Sequence, residues 1–212
     1  MKKKSPVVRF PNLKTFAPPD DRHWHNGADV EIGFYARSLH RAAKKLIATL
    51  DPQTNPQTAW DASPVILLYR QAVELQMKFL VGEGCRFLAS PTDHLTLAKT
   101  HSLRWLAQIV CQIIKAVQWE GEFMCEGVAS IADFSALVSD LEELDPVACA
   151  VRSKHRGLPG DVPPPLQKSK VLDLVPRLDA LLDLLAATAD GLAATWDLMK
   201  DGGGTGDRTT IQ

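Results

Sequence analysis

Residues 145–160 read "DPVACAVRSKHRGLPG" and set Arg152, His155 and Arg156 within five positions, just before a proline-rich loop. Arginine and histidine are the side chains of an acid/base site acting on RNA. An imidazole exchanges protons near neutral pH, and a guanidinium steadies negative charge as it builds on a phosphate. Whether these two meet depends on the element that carries them. Positions three apart on a strand point to opposite faces and diverge, whereas on a helical turn they share a face. Gly157 and Pro159 leave little room for a helix after them. The stretch therefore reads as extended or turning, and Arg152 and His155 as polar residues of a turn or the rim of a ligand site. Arg37 and His40 are spaced in the same way.

Other chemistry-bearing residues give weaker patterns. His23 and His25 lie beside Asp20 and Asp21 in "DRHWHNG". Two histidines one residue apart in a loop are a poor metal signature, and a solvated loop with Trp24 tucked inward is the simpler reading. Cys85, Cys111, Cys125 and Cys149 form no C-x-x-C pair, which points to buried thiols rather than zinc or a disulfide framework. "KDGGGTGDR" lacks the G-K-[ST] of a phosphate loop and has no helix after it. Neither a metal nor a cofactor is expected.

Helices must position whatever site exists. A first is expected over about Ala28–Leu50, with Ile32, Tyr35, Ala36, Leu39, Ala42, Ala43, Leu46, Ile47 and Leu50 on one face. Arg37, Arg41, Lys44 and Lys45 fall mainly on the other, a solvated stripe or one that tracks phosphates. The second helix is the best marked: Ser63 is a natural N-cap and Pro64 suits the first helical position. Val65, Leu68, Ala72, Leu75 and Phe79 step by three and four, and further apolar positions make this helix central. Arg70, Gln71, Glu74 and Lys78 form its polar stripe, with Gly82 and Gly84 as the expected stop. After a connecting stretch, a third helix is expected to begin with Thr100 as N-cap. That would put His101 in the first turn, where the positive helix end disfavours an extra proton. A fourth is expected near Phe134–Leu144. A last one is expected from Pro176 to about Lys200, with Leu178, Leu181, Leu182, Leu185, Ala189, Leu192, Ala193 and Trp196 inward and Asp179, Asp183, Asp190 and Asp197 outward.

The 212 residues thus predict an all-α fold, a four- to five-helix bundle with a short extended or β-hairpin insert near 147–174. Residues 1–27 form an irregular arm, 28–201 one helical domain and 202–212 a flexible tail. The net charge of −1 excludes a basic field over the whole chain. Residues 1–106 hold 15 Lys+Arg against 9 Asp+Glu, and residues 107–212 hold 9 against 16. Mutual cancellation across a packed bundle is the preferred explanation. No segment approaches the ~20 consecutive apolar residues of a membrane helix, and a cytoplasmic location is expected.

"FYARSLHRAAKKLI", "LYRQAVELQMKFLV" and "KTHSLRWLAQI" resemble, in order and spacing, the first three helices of HEPN domains. Tyr35, Ala42, the run Tyr69-Arg70-Gln71-Ala72, Glu74, Lys78 and His101 carry the resemblance, which extends by pattern over roughly residues 29–200. It implies an all-α bundle, often dimeric, in prokaryotic defence or toxin–antitoxin systems. Active members of that family cleave RNA without metal through R-x4-6-H. Arg152 and His155 depart from that spacing, since only two residues separate them. The leading expectation is a non-catalytic binding or assembly module, a homodimer. One alternative is a metal-independent ribonuclease using Arg152, His155 and His101. Another is an RNA- or nucleotide-binding bundle using Arg37, Arg41 and Lys44 with the Arg70–Glu74–Lys78 stripe.

Overall fold

A computed structural model describes residues 28–49, 63–89, 94–144 and 168–202 of the chain. Among them it contains six helices: α1 (Ala28–Thr49), α2 (Ser63–Phe87), α3 (His94–Lys99), α4 (Leu103–Ala116), α5 (Ile131–Glu143) and α6 (Lys168–Gly202). There is no strand among the described residues. Backbone pairing outside the helices includes one isolated bridge, in which Cys125 and Val128 exchange N–H···O bonds across a turn whose Gly127 has φ +77°.

The all-α bundle matches the periodicity, and α2 is its centre. Val65, Ile66, Tyr69, Ala72, Val73, Met77, Leu80 and Val81 are all buried, so nearly every side of this helix meets another element. α1 and α6 flank it on one side, while α4 packs on another and carries α5. The contacts fix the directions. Gly33 sits against Phe79 while His40 stacks near Tyr69, so α1 runs antiparallel to α2. Tyr69 meets Asp179, and Arg37 and Lys44 of α1 meet Asp190 and Asp179, so α6 runs antiparallel to α1 and along α2. Arg104 reaches Ser139 while Cys111 reaches Ser135, making α5 antiparallel to α4. Burying side chains such as Phe134, Leu137, Leu141 and Leu178 contributes roughly 1.5–3 kcal/mol each.

Several boundaries differ from the sequence expectation, each for a packing or capping reason. α6 begins at Lys168, so "KVLDLV" is helical rather than extended; the part of the expected insert at 147–167 lies outside the described residues. Val171, Leu174, Val175 and Leu178 continue the buried face straight through Pro176. Pro176 itself is exposed, so the carbonyl it leaves without an amide donor faces water. α2 continues past Gly82 and Gly84 to Phe87. At Gly84 the missing Cβ serves packing: one placed there would stand 2.6 Å from Ile113 Cγ2. α4 is capped by Ser102, whose hydroxyl accepts from the Trp105 N–H, so His101 precedes the helix instead of lying in its first turn. α4 closes with Gln118 at φ +62° and the pair of bonds Gln118 N–H to Lys115 O and Trp119 N–H to Ile114 O, a Schellman-type end. α5 starts at Ile131, capped by Ser130. Tyr35 and Ala42, expected inward, are exposed; Gly33, Ala36, His40 and Ala43 form the buried face of α1.

The two α2 glycines should separate in a urea titration. Gly84→Ala forces a methyl into Ile113, itself fully buried, and is expected to cost about 1–3 kcal/mol. Gly82→Ala meets nothing within 4 Å and should be neutral or stabilising by up to about 1 kcal/mol.

Candidate functional site

The polar stripe of α2 does not face water. Glu74 is 1% exposed, and its two oxygens accept from three side chains. Lys78 Nζ lies 2.9 Å and His101 Nδ1 2.9 Å from Oε1, while Arg70 Nη1 donates to Oε2 at 2.7 Å. The cations are anchored a second time: Arg70 Nη2 donates to the His101 carbonyl at 2.6 Å and Lys78 Nζ to the Ala98 carbonyl at 3.2 Å. Ala98 belongs to the last turn of α3, whose carbonyls have no helical partner, so Lys78 also serves as a cap. The i,i+4 spacing of Arg70, Glu74 and Lys78 aligns them on one side of α2, and the short α3 returns the chain so that His101 closes the set.

Burial alone would raise the Glu74 carboxyl. Hydrogen bonds from Lys78 and His101, with the charges of Lys78 and Arg70, outweigh it and hold the group below the usual glutamate range. The His101 ring is tethered through Nδ1 yet its side chain is 71% exposed, so its opposite nitrogen is presented at the surface. A carboxylate-held imidazole with an outward Nε2 can accept or donate a proton. The positive end of α4 beside it is already occupied: the Leu103 N–H donates to Glu142 Oε1 at 3.1 Å, and Arg104 bonds Ser139 and Glu143.

A second cluster joins α1, α2 and α6, and sequence reading missed it. Asp179 Oδ1 accepts from His40 Nε2 at 2.6 Å and from the Tyr69 hydroxyl at 2.7 Å, while Lys44 Nζ lies 3.7 Å from Oδ2. Tyr69 is fully buried and His40 nearly so. Burial pushes the Tyr69 hydroxyl far up, and the hydrogen bond to Asp179 and its negative charge add to the effect, so the phenol stays a donor. Asp179 shares the register of the exposed Asp183, Asp190 and Asp197, so only the fold distinguishes it. A polar histidine on the otherwise small-residue face of α1 was the one available signal.

Of the remaining candidates, Arg37 stacks over the Phe34 ring at 5.1 Å and lies 4.0 Å from Asp190, and Arg41 is exposed. Arg152, His155, Cys149 and the His23/His25 loop lie outside the described residues. No group of three metal-ligating side chains occurs among the described residues. Cys85 is buried; Cys111 and Cys125 are half-buried, and burial raises both thiols. An open cleft of about 350 Å³ lies between the end of α5 and the start of α6, lined by Asp140, Glu143, Asp173 and Arg177 among others. No helix among the described residues is long and apolar enough to cross a membrane.

Because the Glu74 carboxyl titrates lower folded than unfolded, it contributes stability above the ordinary glutamate range, and that contribution is lost as pH falls through the folded value. Unfolding free energy measured in urea from pH 7 to 3 should fall with a slope that Glu74→Gln flattens. At pH 7 the same substitution leaves two buried cations without their carboxylate and is expected to cost about 3–5 kcal/mol. Tyr69→Phe should cost about 1 kcal/mol in the same titration, since it removes one donor from Asp179.

No protein-family model matches the chain, and no curated protein or solved structure matches it either.

Proposed function

We propose that this chain is a HEPN-like helical bundle that works as a non-catalytic binding or assembly module, as a homodimer, in a prokaryotic defence or toxin–antitoxin setting. The observation that carries this reading is the use made of the α2 stripe. Arg70, Glu74 and Lys78 turn inward and hold one another, α3 and the chain leading into α4, which supports a framework role for them. Large apolar side chains stand outward elsewhere: Phe34 and Tyr35 on α1 are 57% and 64% exposed, and Leu198 and Met199 at the end of α6 are 73% and 51% exposed. Exposed apolar surface of this kind favours association.

One observation favours a second reading, a metal-independent ribonuclease using Arg152, His155 and His101. Glu74 holds the His101 ring by Nδ1 with its other side open, the arrangement a general acid or base needs. The RNA- or nucleotide-binding alternative rests on Arg37, Arg41 and Lys44 alone once the α2 stripe is occupied internally.

Labelled RNA incubated with the protein in EDTA separates the readings. The module reading expects no cleavage at any protein concentration, and mass by light scattering near twice that of the 23.3 kDa chain. Cleavage abolished by both His101→Ala and His155→Ala would replace it with the nuclease. RNA retention that weakens steeply between 50 and 200 mM salt would favour the nucleic-acid alternative (the slope follows from release of counterions from phosphates).

A further inference from the structure

α1 and α6 lie side by side over α2 and run in opposite directions, with α1 presenting a basic row and α6 an acidic one. On α1 the exposed residues Phe34, Arg41 and Lys45 follow one line at helical spacing. On α6 the exposed residues Asp183, Asp190, Ala194 and Leu198 follow another. The rows touch at the seam, where Arg37 and Asp190 are 4.0 Å apart and Lys44 and Asp179 3.7 Å apart. These pairs leave Arg37 39%, Lys44 50% and Asp190 65% exposed. Solvated pairs of this kind contribute little, and both rows retain most of their outward charge.

Such a face is complementary to itself in one way. A two-fold axis parallel to the helices sets α1 of each copy over α6 of the other, basic row against acidic row. An axis across the helices would set basic on basic and acidic on acidic, which repels. The permitted axis also keeps each residue at its own height along the bundle. The seam contacts, Arg37 with Asp190 and both His40 and Lys44 with Asp179, place the N-terminal part of α1, with Phe34, beside the C-terminal half of α6. The Phe34 ring of one copy then falls against the C-terminal half of the other copy's α6, and Arg41 and Lys45 fall toward the stretch from Asp179 to Asp183.

We infer that the α1–α6 face is the surface on which two copies of this chain pair, through a two-fold axis parallel to the helices. This rests on the assembly reading above and names the surface that performs it. α1 has 22 residues and is about 33 Å long at 1.5 Å per residue. Two helices of about 10 Å width give roughly 600–700 Å² per copy, close to the ~800 Å² per partner of a stable interface.

Sedimentation equilibrium of the full chain tests it. Phe34→Glu is expected to raise the dimer dissociation constant at least tenfold. The charge reversals Arg41→Glu/Lys45→Glu and Asp183→Lys/Asp190→Lys should each yield a monomer, and mixing these two variants should restore a dimer containing one of each. Circular dichroism and thermal melting of each variant confirm that it is folded. If wild type remains a monomer throughout, the assembly reading and the surface both fail. If wild type dimerises and the folded variants dimerise equally well, the assembly reading stands and this surface is wrong.

Discussion

One buried carboxylate organises the middle of this bundle. Glu74 lies on the central helix with two cations one turn away on either side, and each cation reaches beyond it to a main-chain carbonyl of a different segment. Ions removed from water are costly unless every donor and acceptor finds a partner. Here the partners come from α2, the last turn of α3 and the residue before the α4 cap. The registers of three elements are therefore tied to a single group, and a shift of one turn in any of them would strand a charge. α2 can then be apolar on its other sides, where it receives α1 and α6.

The contact between α1 and α6 follows a different logic. Both helices pack mainly on α2 and only lightly on one another. What joins them is polar: His40 and Lys44 on Asp179 with Tyr69 beneath, and Arg37 beside Asp190. At this seam the basic row of α1 lies beside the acidic row of α6, which leaves a patterned surface.

Much of the fold was legible because helical periodicity and capping are local. Ser63 and Pro64 mark the start of α2, the three- and four-residue steps mark the buried faces of α4 and α6, and the flanking apolar positions mark α2 as central. Local signals also misled where a long-range contact decided the outcome. Gly84 reads as a helix stop but is the place where Ile113 comes close. Pro176 reads as a helix start but is passed over because the buried face continues on both sides of it. Thr100 and Ser102 are both chemically fit to cap α4, and Ser102 does so while Arg70 and Glu74 hold the residue between them.

By itself, then, the sequence determined the class of fold, the helix that lies at its centre and the i,i+4 alignment of Arg70, Glu74 and Lys78, since each follows from spacing along one chain. Tertiary structure alone decided that this stripe points inward, that His101 completes it, and that Asp179 is set apart from its acidic neighbours by His40 and Tyr69. Those outcomes depend on residues 27 to 139 positions apart in the chain, and no local propensity specifies which side chains will meet across such distances.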